Sequence, residues 1–216
     1  MLFRSVHPTG RFFFHTLLTQ LRVQNGNEVD QKKEFYLVHR IDRETSGLLV
    51  IGKTSAAAAN LVAQWDKKAV FKEYLAIVKG NVREDSFLID APLARDPHSE
   101  IKLKMNVAEL GADGEPLYLP KSEILPSRTQ IHVSERLGNY TVVRAQPHTG
   151  RQHQIRVHLW HLGHPIAGDK LYGTDASFFL RTMKEILHVE VERGIMLTRH
   201  ALHAHKLGFR HPVSGE

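Results

Sequence analysis

An aspartate lies between two arginines in a short segment that joins two apolar stretches of the chain. The segment reads His39-Arg40-Ile41-Asp42-Arg43-Glu44-Thr45-Ser46-Gly47. Positive charge nearby favours the ionised form of a carboxyl group, so we expect Asp42 to be ionised and to be a candidate nucleophile. The alternative is a surface turn that holds a solvated ion pair, and the residues of the segment do not by themselves separate the two.

A second candidate segment combines a glycine-containing turn, two arginines and the start of a helix. It reads Pro147-His148-Thr149-Gly150-Arg151-Gln152-His153-Gln154-Ile155-Arg156-Val157-His158-Leu159. The N-terminus of a helix is a natural site for an anion. Arg151 and Arg156 can each donate two hydrogen bonds to a phosphate or a carboxylate. The segment therefore predicts an anion-binding site.

The chain is rich in histidine, which raises the question of a metal site. Two groups of histidines are closely spaced: His158, His161 and His164, and His200, His203 and His205. Histidines three residues apart share one face of a helix and can ligate zinc. The predicted helix carries no carboxylate at a helical spacing, and the sequence contains no cysteine. We therefore expect no metal, and keep a histidine-based metal-dependent hydrolase as an alternative function.

Hydrophobic periodicity predicts the elements that must position these residues. Four helices are expected: Thr16–Leu21, a helix that begins after a cap at Thr54 or Ser55, Gln152–Leu162 and Phe178–Val191. Strands are expected at Phe35–His39, Ser46–Lys53, Val70–Gly80 and 199–211. A hairpin is expected around Gly138, formed by Thr129–Val133 and Asn139–Ala145. The strand Val70–Gly80 is expected to be buried on both faces. Loops are expected at Leu2–Phe14, 24–34 and 91–127. Strands and helices mix without a βαβ rhythm, which favours α+β over a doubly wound α/β fold.

Composition narrows the class of protein. The 216 residues carry a formal charge of +6 and the pI is about 9.6, which points to a polyanionic partner. The absence of cysteine excludes disulfides, zinc fingers and thiol nucleophiles. No apolar run approaches the roughly 20 residues of a membrane helix, and no secretory signal is recognisable.

Four blocks of the sequence, taken in order, resemble the RluA-type RNA pseudouridine synthases. The family's His-Arg-Leu-Asp-x-x-Thr-Ser-Gly signature appears at residues 39–47, with Ile41 in place of leucine. The other three blocks are a strand with Lys72, Tyr74, Ala76, Val78 and Gly80, the run Thr149–Leu159 that continues to Gly168-Asp169 and Tyr172-Gly173, and the tail Leu202–Pro212. Both ends of the chain look shortened against the family pattern, and no accessory N-terminal RNA-binding domain is expected.

The resemblance implies a fold and a reaction. The expected fold is one catalytic domain over residues 1–216, of class α+β, with a mixed, mainly antiparallel sheet, flanking helices and a central basic cleft. The implied reaction is the isomerisation of uridine to pseudouridine in ribosomal or transfer RNA, without cofactor or metal and with the base flipped out of the stack. We expect a cytoplasmic monomer, or an organellar one in a eukaryote. A non-catalytic RNA-binding relative is an alternative, although it would require a changed Asp42.

The resemblance also implies roles for individual residues. Asp42 would attack the sugar or abstract a sugar proton, and Arg156 would pair with it. Tyr74 would stack on uracil and take the proton from carbon 5. A core tyrosine is the alternative for Tyr74, and a core leucine for Leu202, which would pack on the other face of the base.

The remaining implied roles concern binding. Arg40 would fill the space left by the flipped base, with a structural ion pair as the alternative. Lys72 and Arg151 would hold phosphates, which gives salt-dependent affinity without sequence choice. His39, Thr45, Ser46 and Gly47 are expected to shape the Asp42 loop.

Overall fold

A computed structural model describes residues 16–25, 34–184 and 197–216. The chain divides into two compact units, the first formed by Met1–Lys72 with His203–Glu216 and the second by Glu73–Leu202. The loop expected at Leu2–Phe14, most of the loop expected at 24–34 and the end of the helix expected at Phe178–Val191 lie outside the described residues. The single catalytic domain stays a prediction.

The predicted helices and strands occur in the predicted order, but the stretch 91–127, expected as a loop, contains the paired strands Leu93–Arg95 and Met105–Val107, and Ser86–Asp90, for which no element was predicted, is a strand as well. The helices are α1 (Leu17–Asn25), α2 (Ser55–Asp66), α3 (Gln154–His161) and α4 (Ala176–Lys184). The strands are β1 (Tyr36–Leu37), β2 (Ser46–Gly47), β3 (Ile51–Gly52), β4 (Phe71–Lys79), β5 (Ser86–Asp90), β6 (Leu93–Arg95), β7 (Met105–Val107), β8 (Arg128–Leu137), β9 (Tyr140–Pro147) and β10 (Leu202–Gly208).

In the first unit, short strands hold the loop that carries Asp42. Strand β1 pairs antiparallel with β3, and β2 pairs parallel with β10. The stretch Ser46–Lys53, expected as one strand, is therefore two. The chain turns at Gly47, where φ is +107°, and this turn separates the residues that pair with β10 from those that pair with β1. The predicted cap of α2 is confirmed, since the Thr54 hydroxyl accepts the Ala57 N–H at 3.2 Å.

In the second unit, four strands form an antiparallel ladder in the order β4-β9-β8-β5. The predicted hairpin around Gly138 is confirmed and is longer than expected, running from Arg128 to Pro147. One face of the ladder is apolar and forms a core with Ile155 and Leu159 of α3. The fold class is thus α+β, with a mixed and mainly antiparallel arrangement of strands, as predicted.

The expectation that β4 is buried on both faces holds only in part. Ala76 and Val78 are buried on the core side of the strand, whereas on the other side Glu73 is buried but Phe71 and Ile77 are 48% and 39% exposed. An antiparallel strand needs only one covered face, so a run of apolar residues does not by itself show that both are covered.

Helix α3 lies between two apolar clusters. Ile155 and Leu159 belong to the core of the antiparallel ladder, and Val157 belongs to a second cluster with Leu171 and Tyr172. The polar residues between them on the helix, among them Arg156, are consequently buried as well. A buried polar side chain must find hydrogen-bond partners inside the protein, and this requirement organises the site described next. In the parts of the chain that the structure describes, no helix is long and apolar enough to cross a membrane.

Candidate active site

Asp42 lies in a tight turn between β1 and β2. The Asp42 carbonyl accepts the backbone N–H of Thr45 at 3.0 Å, and Thr45 is buried. The turn then enters β2, where a Cβ added to Gly47 would lie 2.2 Å from the Ala204 carbonyl oxygen. A residue with a side chain does not fit there without a shift of the backbone, so the glycine lets β2 approach β10 closely. Asp42 is thereby placed on a loop that is constrained at its C-terminal end.

The two arginines that flank Asp42 in sequence have different surroundings. The Arg43 guanidinium lies 3.6 Å from the Glu44 carboxylate, whereas Arg40 is exposed. An exposed Arg40 suits the expected contact with RNA, which stays a prediction.

His39 anchors the N-terminal end of the same loop. Its ring stacks on Trp65 of α2 at a centroid distance of 4.6 Å, and its Nε2 accepts the Val50 N–H at 3.0 Å. Burial, and then the charge of Lys72, lower the pKa of His39 to about 4. An uncharged imidazole is what the Val50 N–H requires, because a protonated Nε2 would have no lone pair to offer. His39 is thus placed to shape the loop.

Tyr74 projects from the core side of β4. It lies opposite Ala145 of β9 and packs, half-buried, against the cluster that contains Leu202. Leu202 is itself 6% exposed. The structure therefore brings these two predicted residues to one apolar cluster, together with Ile155, the residue that precedes Arg156 on α3.

Arg156 is held by the carboxylate of Asp169, a residue for which no role was predicted. Its Nε donates to Asp169 Oδ2 at 2.7 Å and its Nη2 donates to Oδ1 at 3.0 Å, and both side chains are buried. The Arg156 guanidinium also lies 4.9 Å from the centre of the Tyr172 ring. These contacts fix the plane of the guanidinium.

Asp169 is built to stay charged in the interior. Its Oδ1 accepts the backbone N–H groups of Leu171 and Tyr172 at 2.9 and 3.0 Å. Burial alone would raise the pKa of Asp169, but the charge and hydrogen bonds of Arg156, with further help from His200, hold the pKa below its usual value. The pair is therefore ionised on both sides at neutral pH.

Tyr172 extends this network to the start of α3. Its hydroxyl accepts the Met105 N–H at 3.0 Å and lies 2.8 Å from Nδ1 of His153. His153 caps α3 in a left-handed conformation, with φ +56°. The family blocks of the sequence include three residues of this network, namely Asp169, Tyr172 and His153. Their spacing in the sequence did not predict that they would contact one another or Arg156.

The remaining predicted contacts are distributed over both units. Arg151 precedes α3 in the second unit, where its Nε donates to the Pro126 carbonyl at 3.3 Å. Lys72 belongs to the first unit, where burial and then the charge of Lys68 lower its pKa. Asp42 and Arg40 are also in the first unit, whereas Tyr74, Arg156 and Leu202 are in the second.

The closely spaced histidines have other partners. His158 hydrogen-bonds Thr129 Oγ1 at 2.8 Å and the Ala91 carbonyl at 3.0 Å. His164 Nδ1 lies 3.0 Å from the Lys79 carbonyl oxygen. Within residues 16–25, 34–184 and 197–216, no three His, Asp or Glu side chains form a group that could hold a metal ion.

Comparisons with known proteins agree with these motifs. The family model described as RNA pseudouridylate synthase matches residues 5–161. Ribosomal large subunit pseudouridine synthase D of Neisseria meningitidis serogroup A is 36% identical over 211 residues, which cover 98% of this chain and 50% of that protein. Ribosomal large subunit pseudouridine synthase C of Haemophilus influenzae is 39% identical over 180 residues, covering 83% of this chain and 48% of that protein.

A solved structure gives the same result. Human RNA pseudouridylate synthase domain containing 1 aligns with a TM-score of 0.69 and 28% identity, covering 98% of this chain and 75% of that one. The chain spans about half the length of the curated relatives it matches. As the four sequence blocks predicted, the chain belongs to the RNA pseudouridylate synthase family.

Proposed function

We propose that this chain catalyses the isomerisation of uridine to pseudouridine in RNA. The observation that carries the proposal is Asp42, which lies within the family match on a turn closed by the Thr45 N–H and followed by the close approach of Gly47 to β10. A carboxylate held in one place is what a nucleophile or base needs.

The reaction is an internal rearrangement and needs no external reactant. The bond between nitrogen 1 of uracil and the sugar carbon breaks, the base turns, and carbon 5 forms a bond to the same sugar carbon. Carbon 5 then loses its proton and nitrogen 1 gains one. Asp42 would start the reaction, either by attacking the sugar carbon or by abstracting a sugar proton.

Two residues of the second unit complete the proposed chemistry. Tyr74 would stack on uracil and accept the proton from carbon 5, and its place against the apolar cluster of Leu202 supports a dry surface for a flipped base. Arg156 would pair with Asp42. Its guanidinium has five N–H donors, and Asp169 receives hydrogen bonds from two of its nitrogens, so its orientation is set in advance.

We propose ribosomal RNA as the substrate, because the relatives named above act on the ribosomal large subunit by their names. Arg40, Lys72 and Arg151 would contact phosphates, and the formal charge of +6 favours that contact. We also propose that residues 1–216 act as one catalytic domain. Transfer RNA as a substrate, the monomeric state and the cytoplasmic location stay predictions.

The test is a map of pseudouridines in total RNA from cells with and without the gene. We expect one or a few uridines of large-subunit ribosomal RNA to lose the modification in the deletion strain. Restoring the gene should restore it, and restoring the Asp42→Asn variant should not. An identical map in both strains would contradict the proposal, and loss only in transfer RNA would overturn the choice of ribosomal RNA.

A further inference from the structure

A glutamine in the first turn of α3 holds the backbone of Arg151. Gln154 is 4% exposed. Its Oε1 accepts the Arg151 backbone N–H at 3.0 Å and the Thr149 hydroxyl at 2.7 Å. Its Nε2 donates to the Arg128 carbonyl and to the Thr129 hydroxyl oxygen, both at 2.9 Å. Because a backbone N–H can only donate and a carbonyl can only accept, the amide has one possible orientation, with all four of its hydrogen-bonding positions used.

The same amide is supported from the other side by a buried histidine. His158 is fully buried, its Nε2 lies 3.0 Å from the Ala91 carbonyl oxygen, and its Nδ1 lies 2.8 Å from Thr129 Oγ1. Nε2 must donate to that carbonyl. Because burial lowers the pKa of His158, the ring is neutral and its Nδ1 accepts the Thr129 hydroxyl. Thr129 can then only accept from Gln154, and such a fully satisfied buried network is rigid.

The Arg151 side chain, in contrast to its backbone, has donors left for a ligand. The residue is half-buried, and its Nε donates to the Pro126 carbonyl at 3.3 Å. In the part of the chain that the structure describes, its guanidinium forms no ion pair. A guanidinium has five N–H donors, so the two Nη nitrogens can bind an anion while Nε stays on Pro126. An arginine ordered in this way loses less conformational entropy when it binds.

We propose that Gln154 is a positioning residue for RNA binding, which fixes the backbone of Arg151 so that its guanidinium meets a phosphate already oriented. The inference rests on the proposed function, since it assigns to Gln154 the preparation of the phosphate contact expected for Arg151. The Gln154 amide is fully used inside the protein, so Gln154 acts through Arg151 and does not contact RNA itself. The alternative is that Gln154 serves only the stability of the second unit.

A double-mutant cycle distinguishes the two roles. Gln154→Met keeps the side chain long and removes its four hydrogen bonds, and Arg151→Gln removes the guanidinium. The wild type, both single variants and the double variant are compared in binding to a transcript of large-subunit ribosomal RNA at several KCl concentrations. All measurements are made well below the thermal midpoint of every variant.

The cycle has a definite expected result. Arg151→Gln should bind about three- to tenfold more weakly, and the slope of log K against log salt should decrease by roughly 0.7–0.9, the value for one lost phosphate contact. Gln154→Met should lose roughly two- to tenfold, the cost of ordering one long side chain on binding. In the Arg151→Gln background, Gln154→Met should change affinity less than about twofold. Losses that simply multiply would overturn the proposal, and so would wild-type affinity of either single variant.

Thr141→Val is the matched control for stability. Thr141 is fully buried in the same unit, donates to the Gly80 carbonyl at 2.8 Å and accepts the Val82 N–H at 3.1 Å. Its loss should lower the thermal midpoint, as the loss of Gln154 does, because buried backbone groups are left without partners. RNA affinity should stay within about twofold. A loss of affinity as large as that of Gln154→Met would assign the effect to stability and overturn the proposal.

Turnover kinetics and a milder variant complete the test. For Gln154→Met we expect a raised KM and a kcat within about twofold of the wild type, and a lowered kcat at unchanged KM would contradict a role in binding. Thr149→Val removes one hydrogen bond of the same amide and is used in the cycle if Gln154→Met does not fold. Its smaller loss of affinity should disappear in the Arg151→Gln background, and a loss that persists there would overturn the proposal.

The binding assay does not require catalysis, so the two proposals fail separately. Wild-type protein that binds RNA but forms no pseudouridine would contradict the proposed function, whatever the Gln154 variants do. Pseudouridine formation together with independent effects of Gln154→Met and Arg151→Gln would overturn only the positioning role of Gln154.

Discussion

Arg156 and Asp169 form a buried ion pair with two parallel hydrogen bonds, at 2.7 and 3.0 Å. The two residues are thirteen positions apart, one in the middle of α3 and the other in the segment after it. Removing one partner of such a pair leaves an uncompensated charge in the interior. The pair therefore ties the proposed position of the catalytic arginine to the stability of the second unit.

Replacing Asp169 with asparagine should lower both stability and activity. We expect the free energy of unfolding in urea to fall by about 3 kcal/mol, the usual cost of a buried charge left alone. Asp90→Asn is the control, because it breaks the exposed pair of Asp90 with Arg128 and should cost less than about 1 kcal/mol. Equal losses in the free energy of unfolding would show that the buried pair contributes no more to stability than the exposed pair.

Acidification should destabilise the protein through His39. Its pKa is about 4 in the folded protein and about 6.5 in the unfolded chain, so the unfolded state binds more protons between these values. The free energy of unfolding should therefore be unaffected above pH 6.5 and fall by about 2–3 kcal/mol as the pH is lowered to about 4. Unfolding curves at four pH values across this window measure the effect.

A variant isolates the contribution of His39 from that of other groups. His158 also has a lowered pKa, first because of burial, and contributes in the same direction. His39→Gln keeps an acceptor for the Val50 N–H but does not titrate, so its stability should fall less steeply than that of the wild type. Parallel curves for His39→Gln and the wild type would refute the assignment.

Asp42→Asn should abolish conversion without abolishing RNA binding. The two side chains have nearly the same shape, and only the carboxylate can act as nucleophile or base. We expect the single-turnover rate to fall at least about a thousandfold, with affinity for the RNA retained. Asp66→Asn removes an exposed acid of the same unit and should convert normally. Near-normal turnover by Asp42→Asn would remove Asp42 from the mechanism.

Tyr74→Phe should separate stacking from proton transfer. The phenyl ring keeps the apolar surface against the Leu202 cluster, whereas the hydroxyl that would receive the carbon 5 proton is lost. We expect the rate to drop about a hundredfold or more, with little change in RNA affinity. Tyr118→Phe, at a 55% exposed position, is the control. Full turnover by Tyr74→Phe would leave stacking as the only role of the residue.

Gly47→Ala should destabilise the first unit. The added methyl group would lie 2.2 Å from the backbone oxygen of Ala204, at a φ of +107°. We expect a loss of about 2–4 kcal/mol in the free energy of unfolding. Gly138→Ala also has a positive φ but meets no atom within 4 Å, and it should cost about 1 kcal/mol. A similar loss in both variants would mean that the close approach of β2 to β10 adds nothing.

Signals carried by neighbouring residues predicted much of the local structure. Thr54 caps α2 because its own hydroxyl reaches the N–H three residues on. Gly138 marks the hairpin because the turn itself needs a positive φ. The family blocks also placed the site residues on the correct elements, since each block is a stretch of chain with its own periodicity.

These local signals did not predict which residues far apart in the sequence pair with each other. Ser46–Lys53 has the composition of one strand, but Ser46 pairs with His203 of β10, and Ile51 pairs with Leu37 of β1. His203 was a candidate ligand in the histidine count, yet its Nδ1 lies 2.9 Å from the Ser46 hydroxyl. The partner of each residue depends on which strands lie side by side in the folded protein. A short stretch of sequence does not contain that information.

The sequence by itself determined the family, the fold class and the catalytic candidate Asp42, because the residues of each motif stand at fixed short spacings. Only the tertiary structure decided the partner of Arg156, the neutral state of His39 and the exposure of Phe71 and Ile77 on β4. The physical reason is burial: inside the protein, the free energy of a charged group or a ring nitrogen depends on the groups that surround it. Those groups come from elements that are far apart in the chain and meet only when it folds.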